Sequence, residues 1–356
     1  METVVKAPSN IKIAGEHSVV YGGPSLSAAI DIFATAVVSD TKTNALQIEL
    51  KDLGVSALID EQTLKDLYND YSTRDTTAPD GIAKYIAKHG EIDKRILPYA
   101  TIAARLLGQQ GISSLGKKVV IHSDVPVQKG YASSAVCSTS FAMALVKSSG
   151  KKIDDKTAID VARDGERIIH KVETAGRIDV GPAYFGGYAS FSASDGVRKE
   201  DINIQMKVVV MDTGPKPPTS EMVAKVRVLY NTQKKSTEAT LKAIDECVKE
   251  CTYALKNDNQ KELGEQMSRN HELLKKLGVS SPNLDKAVEI AKVSGALGAK
   301  LCGGGGGGMG IALVSSDSDA EKVINSLKKN GFDAYSVNIS LNGAKNSNQA
   351  RKKVMA

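Results

Sequence analysis

The sequence predicts an α+β protein that is built from two domains. Its 356 residues are enough for two domains of ordinary size. Residues 119–146 pass from a β-branched run, through a loop with Pro and Gly, into a segment of small apolar residues, which predicts strand, loop and buried helix. Residues 299–339 alternate between strand and helix patterns, and we interpret this alternation as an α+β second domain.

The first domain is predicted to span residues 1–200. Short β-branched or alternating runs predict strands, and longer apolar or amphipathic segments predict helices. Ala7-Pro8-Ser9 is expected to interrupt the first strand, and residues 172–184, which contain Gly and Pro, are expected to form a loop. The predicted strands are residues 3–6, 11–13, 28–38, 119–121 and 189–191, and the predicted helices include residues 82–89, 99–107, 135–146 and 153–170.

The second domain is predicted to span residues 201–341. Residues 342–356 are polar and basic, and we expect them to form a disordered tail. Apolar runs predict strands at residues 206–211, 299–301, 309–314 and 334–339, and helical spacing predicts helices at residues 221–230, 236–255, 260–277, 281–294 and 318–329.

Composition limits the class of protein and its partners. The chain is 41% hydrophobic and 25% charged, which is ordinary for a globular protein, and no apolar run reaches the roughly 20 residues of a membrane span. A net charge of +6 suits a small anionic substrate, whereas only 4% aromatic residues argue against nucleic-acid binding by base stacking. Four scattered cysteines without a CxxC pair, and no signal-peptide pattern, predict buried free thiols in a cytoplasmic protein.

The loop before residues 135–146 is a candidate phosphate site. Gly130, Ala132, Ser133 and Ser134 lie at the predicted helix N-terminus, where unpaired N–H groups and the helix dipole favour an anion and small residues let it approach. A serine in the first turn can also offer its oxygen to Mg²⁺. The alternative is an ordinary serine N-cap on a core helix. The chain contains no Walker A sequence.

Two further glycine-containing stretches suggest ligand contacts. Glu16 and His17 follow Gly15 and can hydrogen-bond a polar ligand, although such a dipeptide is also common on protein surfaces. Six consecutive glycines, residues 303–308, lie between two predicted strands. Because glycine loses the most backbone entropy on folding, we expect this run to pack against a ligand or another loop; the alternative is a flexible linker.

In this order and spacing, the motifs resemble those of the GHMP small-molecule kinases over about residues 6–339. Within that family they are most similar to the mevalonate kinase branch. The similar segments are Ala7-Pro8; Gly15-Glu16-His17-Ser18-Val19-Val20-Tyr21-Gly22; Asp124-Val125-Pro126 with Gly130 and Ser133-Ser134-Ala135; Gly165-Glu166-Arg167 with Asp179 and Phe185-Gly186-Gly187; Asp212-Thr213-Gly214 with Thr219 and Glu221; Asn270-His271-Glu272-Leu273-Leu274; and Gly298-Ala299-Lys300 with the glycine run.

The resemblance implies an ATP-dependent kinase that acts on a hydroxyl of a small acid, with the 5-hydroxyl of mevalonate as the leading acceptor. It implies an N-terminal α/β domain, like domain 2 of ribosomal protein S5, packed on a ferredoxin-like C-terminal domain, and a possible homodimer. The implied roles are Mg²⁺ binding by Ser134 and Glu166, binding of the ATP phosphates by Gly130, Tyr131, Ala132, Ser133 and Ser134, base catalysis or hydroxyl orientation by Asp179, and a substrate pocket shaped by Glu16 and His17.

The sequence departs from the family pattern at the site. Asn10 occupies the position of a family lysine that assists the catalytic aspartate, and Lys12, two residues on along a strand, faces the same side and is our candidate replacement. Ala132 replaces a glycine, so a positive φ there would be strained. Tyr131 stands where leucine is usual, which suggests a contact with the nucleotide.

The sequence leaves two other functions open. The first is a different GHMP kinase, such as a phosphomevalonate or sugar kinase, which Asn10 favours. His17 argues against a phosphomevalonate kinase, and the lack of an Asp after His17 argues against a galactokinase. The second is a catalytically weak homologue that binds ATP or a metabolite as a regulator. Asn10 and Ala132 favour it, and the presence of Ser134, Glu166 and Asp179 argues against it.

Overall fold

A long strand pair at the N-terminus organises the first of two sheets. The computed structural model describes residues 2–126, 131–176 and 178–347, and the statements below concern those residues. The strands of the first sheet are β1 (Thr3–Ala14), β2 (Ser25–Asp40), β3 (Leu46–Leu50), β4 (Val55–Ile59), β5 (Lys117–Ser123), β6 (Tyr188–Ser192) and β7 (Gly196–Lys199). Their order is β4-β3-β5-β2-β6-β7, and β1 pairs along the other side of β2. Only β3 and β5 pair in parallel within this described sheet.

Helices pack on the central strands of this sheet. The helices of the first part of the chain are α1 (Glu61–Thr73), α2 (Gly81–Lys88), α3 (Leu97–Gln110), α4 (Ser133–Ser148), α5 (Asp155–His170) and α6 (Val180–Phe185). Residues 135–146 of α4 are all buried, as a helix between a sheet and other helices requires, because α4 packs on β1 and β2 and against α3 and α5.

The second sheet consists, in the described part of the chain, of β8 (Lys207–Asp212), β9 (Gly298–Leu301), β10 (Met309–Val314) and β11 (Asp333–Asn338). These strands are antiparallel and lie in the order β11-β8-β10-β9. The helices of this part are α7 (Thr219–Thr232), α8 (Lys234–Lys256), α9 (Gln260–Lys276), α10 (Pro282–Val293) and α11 (Asp317–Lys329). The predicted α+β fold class is confirmed. The predicted division near Glu200 falls between β7 and β8, and it stays a prediction.

Three features of the first sheet and its loops differ from the sequence predictions. β1 continues through Pro8, because a register shift between Pro8 and Ser9 accommodates the residue that cannot donate a hydrogen bond. The predicted loop at residues 172–184 ends at Asp179, since Val180–Phe185 is α6. Strands β3, β4 and β7 were not predicted.

The described part of the predicted tail is folded rather than disordered. Ala344 is fully buried, the Lys6 amide donates to Ser347 Oγ at 2.9 Å, and Lys147 Nζ donates to the Ser347 carbonyl at 2.7 Å. Residues 342–347 therefore pack against the first sheet and α4. Residues 348–356 of the predicted tail lie outside the described residues.

Two remaining sequence features can be compared with the structure. All four cysteines are buried free thiols, as predicted. Among the helices that the structure describes, none combines the length and the apolar character needed to cross a bilayer.

Candidate active site

A cavity of about 700 Å³ is lined by residues from both halves of the chain. The sequence analysis placed ten residues in the site, and the described part of the chain brings nine of them to this cavity. Gly130, the tenth, lies outside the described residues. The nine are Lys12, Glu16, His17, Tyr131, Ala132, Ser133, Ser134, Glu166 and Asp179.

The predicted phosphate loop runs directly into α4. Ala132 precedes the helix with φ 54° and ψ 34°, and Ser133 and Ser134 begin its first turn. No described side chain caps this helix, so the alternative of a serine N-cap is wrong. The uncapped N-terminus is suited to an anion. Ala132 has the positive φ that we expected to be strained in a residue other than glycine.

Lys12 and Asp179 form an ion pair on the cavity wall. Lys12 Nζ lies 2.6 Å from Asp179 Oδ1, and the two side chains are 8% and 28% exposed. Asn10 accepts a hydrogen bond from Lys12 Nζ, and its Nδ2 donates to the Asp179 carbonyl at 3.1 Å. Asn10 and Lys12 therefore share one face of β1, as the period of a strand predicts. Asn10 therefore contacts both the Lys12 ammonium group and the backbone of Asp179.

Glu166 presents a buried oxygen to the same cavity. Its Oε2 lies 3.5 Å from His170 Nε2, one helical turn further along α5, and this carboxylate raises the pKa of His170. Its Oε1 has no hydrogen-bond partner among the described residues. Mg²⁺ prefers hard oxygen ligands and keeps several waters, so one carboxylate and one serine hydroxyl are sufficient protein ligands. Glu166 and Ser134 therefore fit the metal role that the sequence analysis gave them.

Glu16 forms a buried ion pair with Lys300 of β9. The two side chains are 3% and 0% exposed, and Lys300 Nζ also donates to the carbonyl groups of Lys12, at 3.2 Å, and Leu301, at 2.7 Å. Glu16 Oε2 has no partner in the described structure. Glu16 thus joins the end of β1 to the second sheet, and it also contributes to the cavity wall.

His17 contacts the glycine run. Its Nε2 lies 3.0 Å from the carbonyl oxygen of Gly304, and burial lowers the pKa of the imidazole. A lowered pKa keeps this ring neutral at pH 7, so it exchanges hydrogen bonds rather than supplying a charge. His17 also has a positive φ of 63°.

The glycine run packs against the loop between β8 and α7. A Cβ atom at Gly306 would lie 2.5 Å from Pro217 Cγ, and one at Gly307 would lie 2.3 Å from the Pro215 carbonyl oxygen. Side chains are excluded there, so the prediction of close backbone packing against another loop is confirmed. The alternative of a flexible linker is wrong.

Tyr131 connects the phosphate loop to the second sheet. Tyr335 of β11 donates a hydrogen bond to the Tyr131 hydroxyl at 2.6 Å, and Ser9 Oγ donates to the Tyr131 carbonyl at 2.6 Å. Burial raises the pKa of Tyr131, so its phenol stays protonated. The contact with a nucleotide that we suggested from sequence stays a prediction.

The sequence analysis missed three charged or titratable residues at the site. Lys216 and His170 line the cavity, and Lys300 pairs with Glu16 below it. A lysine within an otherwise apolar strand was a usable signal for Lys300, because lysine is almost never fully buried without a partner. His170 lies one turn after Glu166, a spacing that places both on one face of a helix.

Two family profiles match the chain. The family described as GHMP kinases N terminal domain matches residues 98–187, and the family described as GHMP kinases C terminal matches residues 251–333. The first match contains α4 and the loop before it. The second contains α9, the glycine run and β10.

Mevalonate kinases are among the similar proteins. The enzyme of Thermococcus onnurineus is 30% identical over 312 residues, which cover 86% of this chain and 87% of that protein. The enzyme of Pyrococcus furiosus is 29% identical over 311 residues, with the same two coverages. The crystal structure of the Methanococcus jannaschii mevalonate kinase has 25% identity and a TM-score of 0.74, and the match covers 95% of this chain and 98% of that one. This chain belongs to the GHMP kinase family and is an ATP-dependent small-molecule kinase.

Proposed function

We propose that this kinase transfers the γ-phosphoryl group of ATP to the 5-hydroxyl of mevalonate, which yields 5-phosphomevalonate for isoprenoid synthesis. The observation that carries the proposal is the Lys12–Asp179 ion pair, which lies on the wall of the cavity that also holds the phosphate loop. The similarity to mevalonate kinases supports this acceptor.

The phosphate loop binds the nucleotide in this proposal. The backbone N–H groups of residues 130–134 contact the ATP phosphates at the N-terminus of α4, where the helix dipole favours negative charge. Ser134 Oγ and the Glu166 carboxylate would hold Mg²⁺, which would offset part of the negative charge of the ATP phosphates.

Asp179 accepts the proton of the acceptor hydroxyl. As that oxygen bonds to the γ-phosphorus, the bond from phosphorus to the ADP oxygen breaks, and ADP leaves with the electron pair. Lys12 Nζ keeps Asp179 oriented and offsets negative charge near the transferring group. Asn10, which stands where the family lysine is expected, holds Lys12 in place. Glu16 and His17 shape the pocket for the acceptor.

Location and assembly are also proposals. The four buried free thiols suit a reducing compartment, which favours the cytoplasm. A homodimer is proposed by analogy with the family alone.

A coupled ADP-release assay tests the acceptor. The purified chain is mixed with ATP, Mg²⁺ and, separately, mevalonate, 5-phosphomevalonate, galactose or homoserine. We expect turnover on mevalonate with kcat in the range of about 1–100 s⁻¹ that is usual for kinases. Turnover on another compound alone would show that this compound, and not mevalonate, is the acceptor. ATP binding without turnover on any of the four would favour the regulatory homologue.

Asp179→Asn tests the base. The amide cannot take up the hydroxyl proton, so we expect turnover to be lost while ATP binding, measured by titration calorimetry, stays within about threefold of wild type. Asp333→Asn, at an exposed position of β11, is the matched control. Near-normal turnover of Asp179→Asn would remove Asp179 from the mechanism.

A further inference from the structure

Lys216 extends into the active-site cavity from the half of the molecule opposite to Lys12. It belongs to the loop between β8 and α7, and its half-buried side chain lines the same cavity as Asp179 and Glu166. Prolines at positions 215, 217 and 218 fix φ on both sides of it, which makes the loop that carries Lys216 stiff. No role was predicted for this lysine from the sequence.

The glycine run makes the space in which Lys216 lies. A Cβ atom at Gly308 would come 2.9 Å from Lys216 Cδ, and a Cβ atom at Gly307 would come 3.4 Å from Lys216 Cα. Any larger residue at Gly308 would therefore push the aliphatic part of Lys216 away. Close packing against these glycines therefore directs the Lys216 side chain into the cavity.

The charges around Lys216 leave its ammonium group available to an anion. Lys12 is already paired with Asp179, whereas Lys216 has no hydrogen bond or ion pair with any described residue. Burial lowers the pKa of Lys216, and the negative charge of Asp179 acts in the opposite direction. Lys12 and Lys216 thus place two ammonium groups in the cavity that holds Asp179, and only the Lys12 group is paired with that carboxylate in the described structure.

We propose that Lys216 is a second catalytic cation, which contacts the phosphoryl group as it moves from ATP to the acceptor oxygen. Lys216 stays protonated throughout and donates hydrogen bonds to the equatorial phosphoryl oxygens, whose shared charge is what a kinase must stabilise. The proposal rests on the kinase activity of the chain and not on mevalonate as the acceptor. The alternative ligand of Lys216 is a carboxylate of the acceptor. The experiment below distinguishes this carboxylate from the transferring phosphoryl group.

The first measurement is nucleotide binding without an acceptor. Titration calorimetry compares the affinity for ADP and Mg²⁺ with and without aluminium fluoride, which imitates a transferring phosphoryl group. We expect Lys216→Met to lose about tenfold or more of the affinity gained with aluminium fluoride, while its affinity for ADP alone stays within about threefold of wild type. Lys216→Arg keeps the charge and should keep most of the gain. Lys242→Met, on the exposed face of α8, is the control for loss of one positive charge.

The second measurement is steady-state kinetics with whichever acceptor the wild-type chain phosphorylates. We expect Lys216→Met to lower kcat by about 10²-fold, with KM for ATP and for the acceptor within about threefold. Thermal unfolding of each variant confirms that the fold is kept. An unchanged response to aluminium fluoride overturns the proposal, and so does a rise in the acceptor KM with kcat unchanged, because Lys216 would then bind the acceptor carboxylate.

Discussion

The hydroxyl of Tyr335 donates a hydrogen bond to the hydroxyl of Tyr131 at 2.6 Å. Tyr131 belongs to the predicted phosphate loop and Tyr335 to β11, so this contact connects the proposed nucleotide site of the first half to the sheet of the second. Burial raises the pKa of Tyr131, which preserves the hydroxyl as a partner over the physiological pH range.

Tyr335→Phe tests whether this bond positions the phosphate loop. Its loss should raise KM for ATP by up to about tenfold, because a neutral hydrogen bond contributes about 0.5–1.5 kcal/mol. The expected kcat stays within about threefold. Steady-state kinetics measures both values, and Tyr230→Phe, which removes a bond to Glu238 on the helices away from the loop, is the matched control. An unchanged KM would show that the loop keeps its position without Tyr335.

Lys12→Met tests the replacement of the family lysine. We expect kcat to fall by about 10²-fold or more, since the variant removes the only cation paired with Asp179 in the described structure. Asn10→Ala should lower kcat by up to about tenfold, because the ion pair survives without its supporting hydrogen bonds. Lys6→Met changes an exposed lysine that precedes Lys12 on the same strand, and this variant should have near-normal kcat. A normal kcat for Lys12→Met would mean that the charge comes from another group.

Lys300→Met tests the buried ion pair with Glu16. Removing one partner leaves an uncompensated buried charge, so we expect the free energy of unfolding to fall by about 3–5 kcal/mol. The double variant Glu16→Gln with Lys300→Met should be less destabilised than Lys300→Met alone. Urea denaturation measures both, and Lys65→Met, which breaks the exposed pair with Glu61, should change stability by less than about 0.5 kcal/mol. A loss for Lys300→Met as small as that of Lys65→Met would contradict this account.

The buried His17 should make the fold less stable in acid. Burial holds the pKa of His17 below its ordinary value, so between the folded pKa and about 6.5 the unfolded chain binds more protons than the folded chain. The free energy of unfolding should therefore decrease as the pH falls below about 6.5. His17→Asn, which tolerates a positive φ, should reduce this decrease.

His122→Asn is the control for the pH experiment, with the opposite sign. The exposed His122 has its pKa raised by Asp52, so any stability that it adds is present below about 6.5 and is lost as the pH rises through the folded pKa. His122→Asn should therefore not reduce the decrease in the free energy of unfolding that occurs in acid. Denaturation curves between pH 5 and 8 measure all three proteins, and equal slopes for His17→Asn and wild type would exclude His17 as a cause.

Local sequence was sufficient for most of the framework. The β-branched run at residues 119–121 and the small apolar segment at residues 135–146 predicted β5 and α4, because each pattern has the period of its own element. The break predicted at Pro8 was wrong, since a register shift within β1 accommodates a proline that would otherwise break a strand. The hairpin of β3 and β4 was missed as well.

The sequence by itself determined the family, the two-domain α+β fold and nine of the residues that meet at the cavity. Only the tertiary structure decided how their charges are distributed: Lys12 with Asp179, Lys300 with Glu16, and Lys216 without a described partner. These contacts join residues that are 167 and 284 positions apart. Short-range periodicity shows which face of a strand or helix a residue occupies, but pairing between distant charges depends on how the two sheets pack.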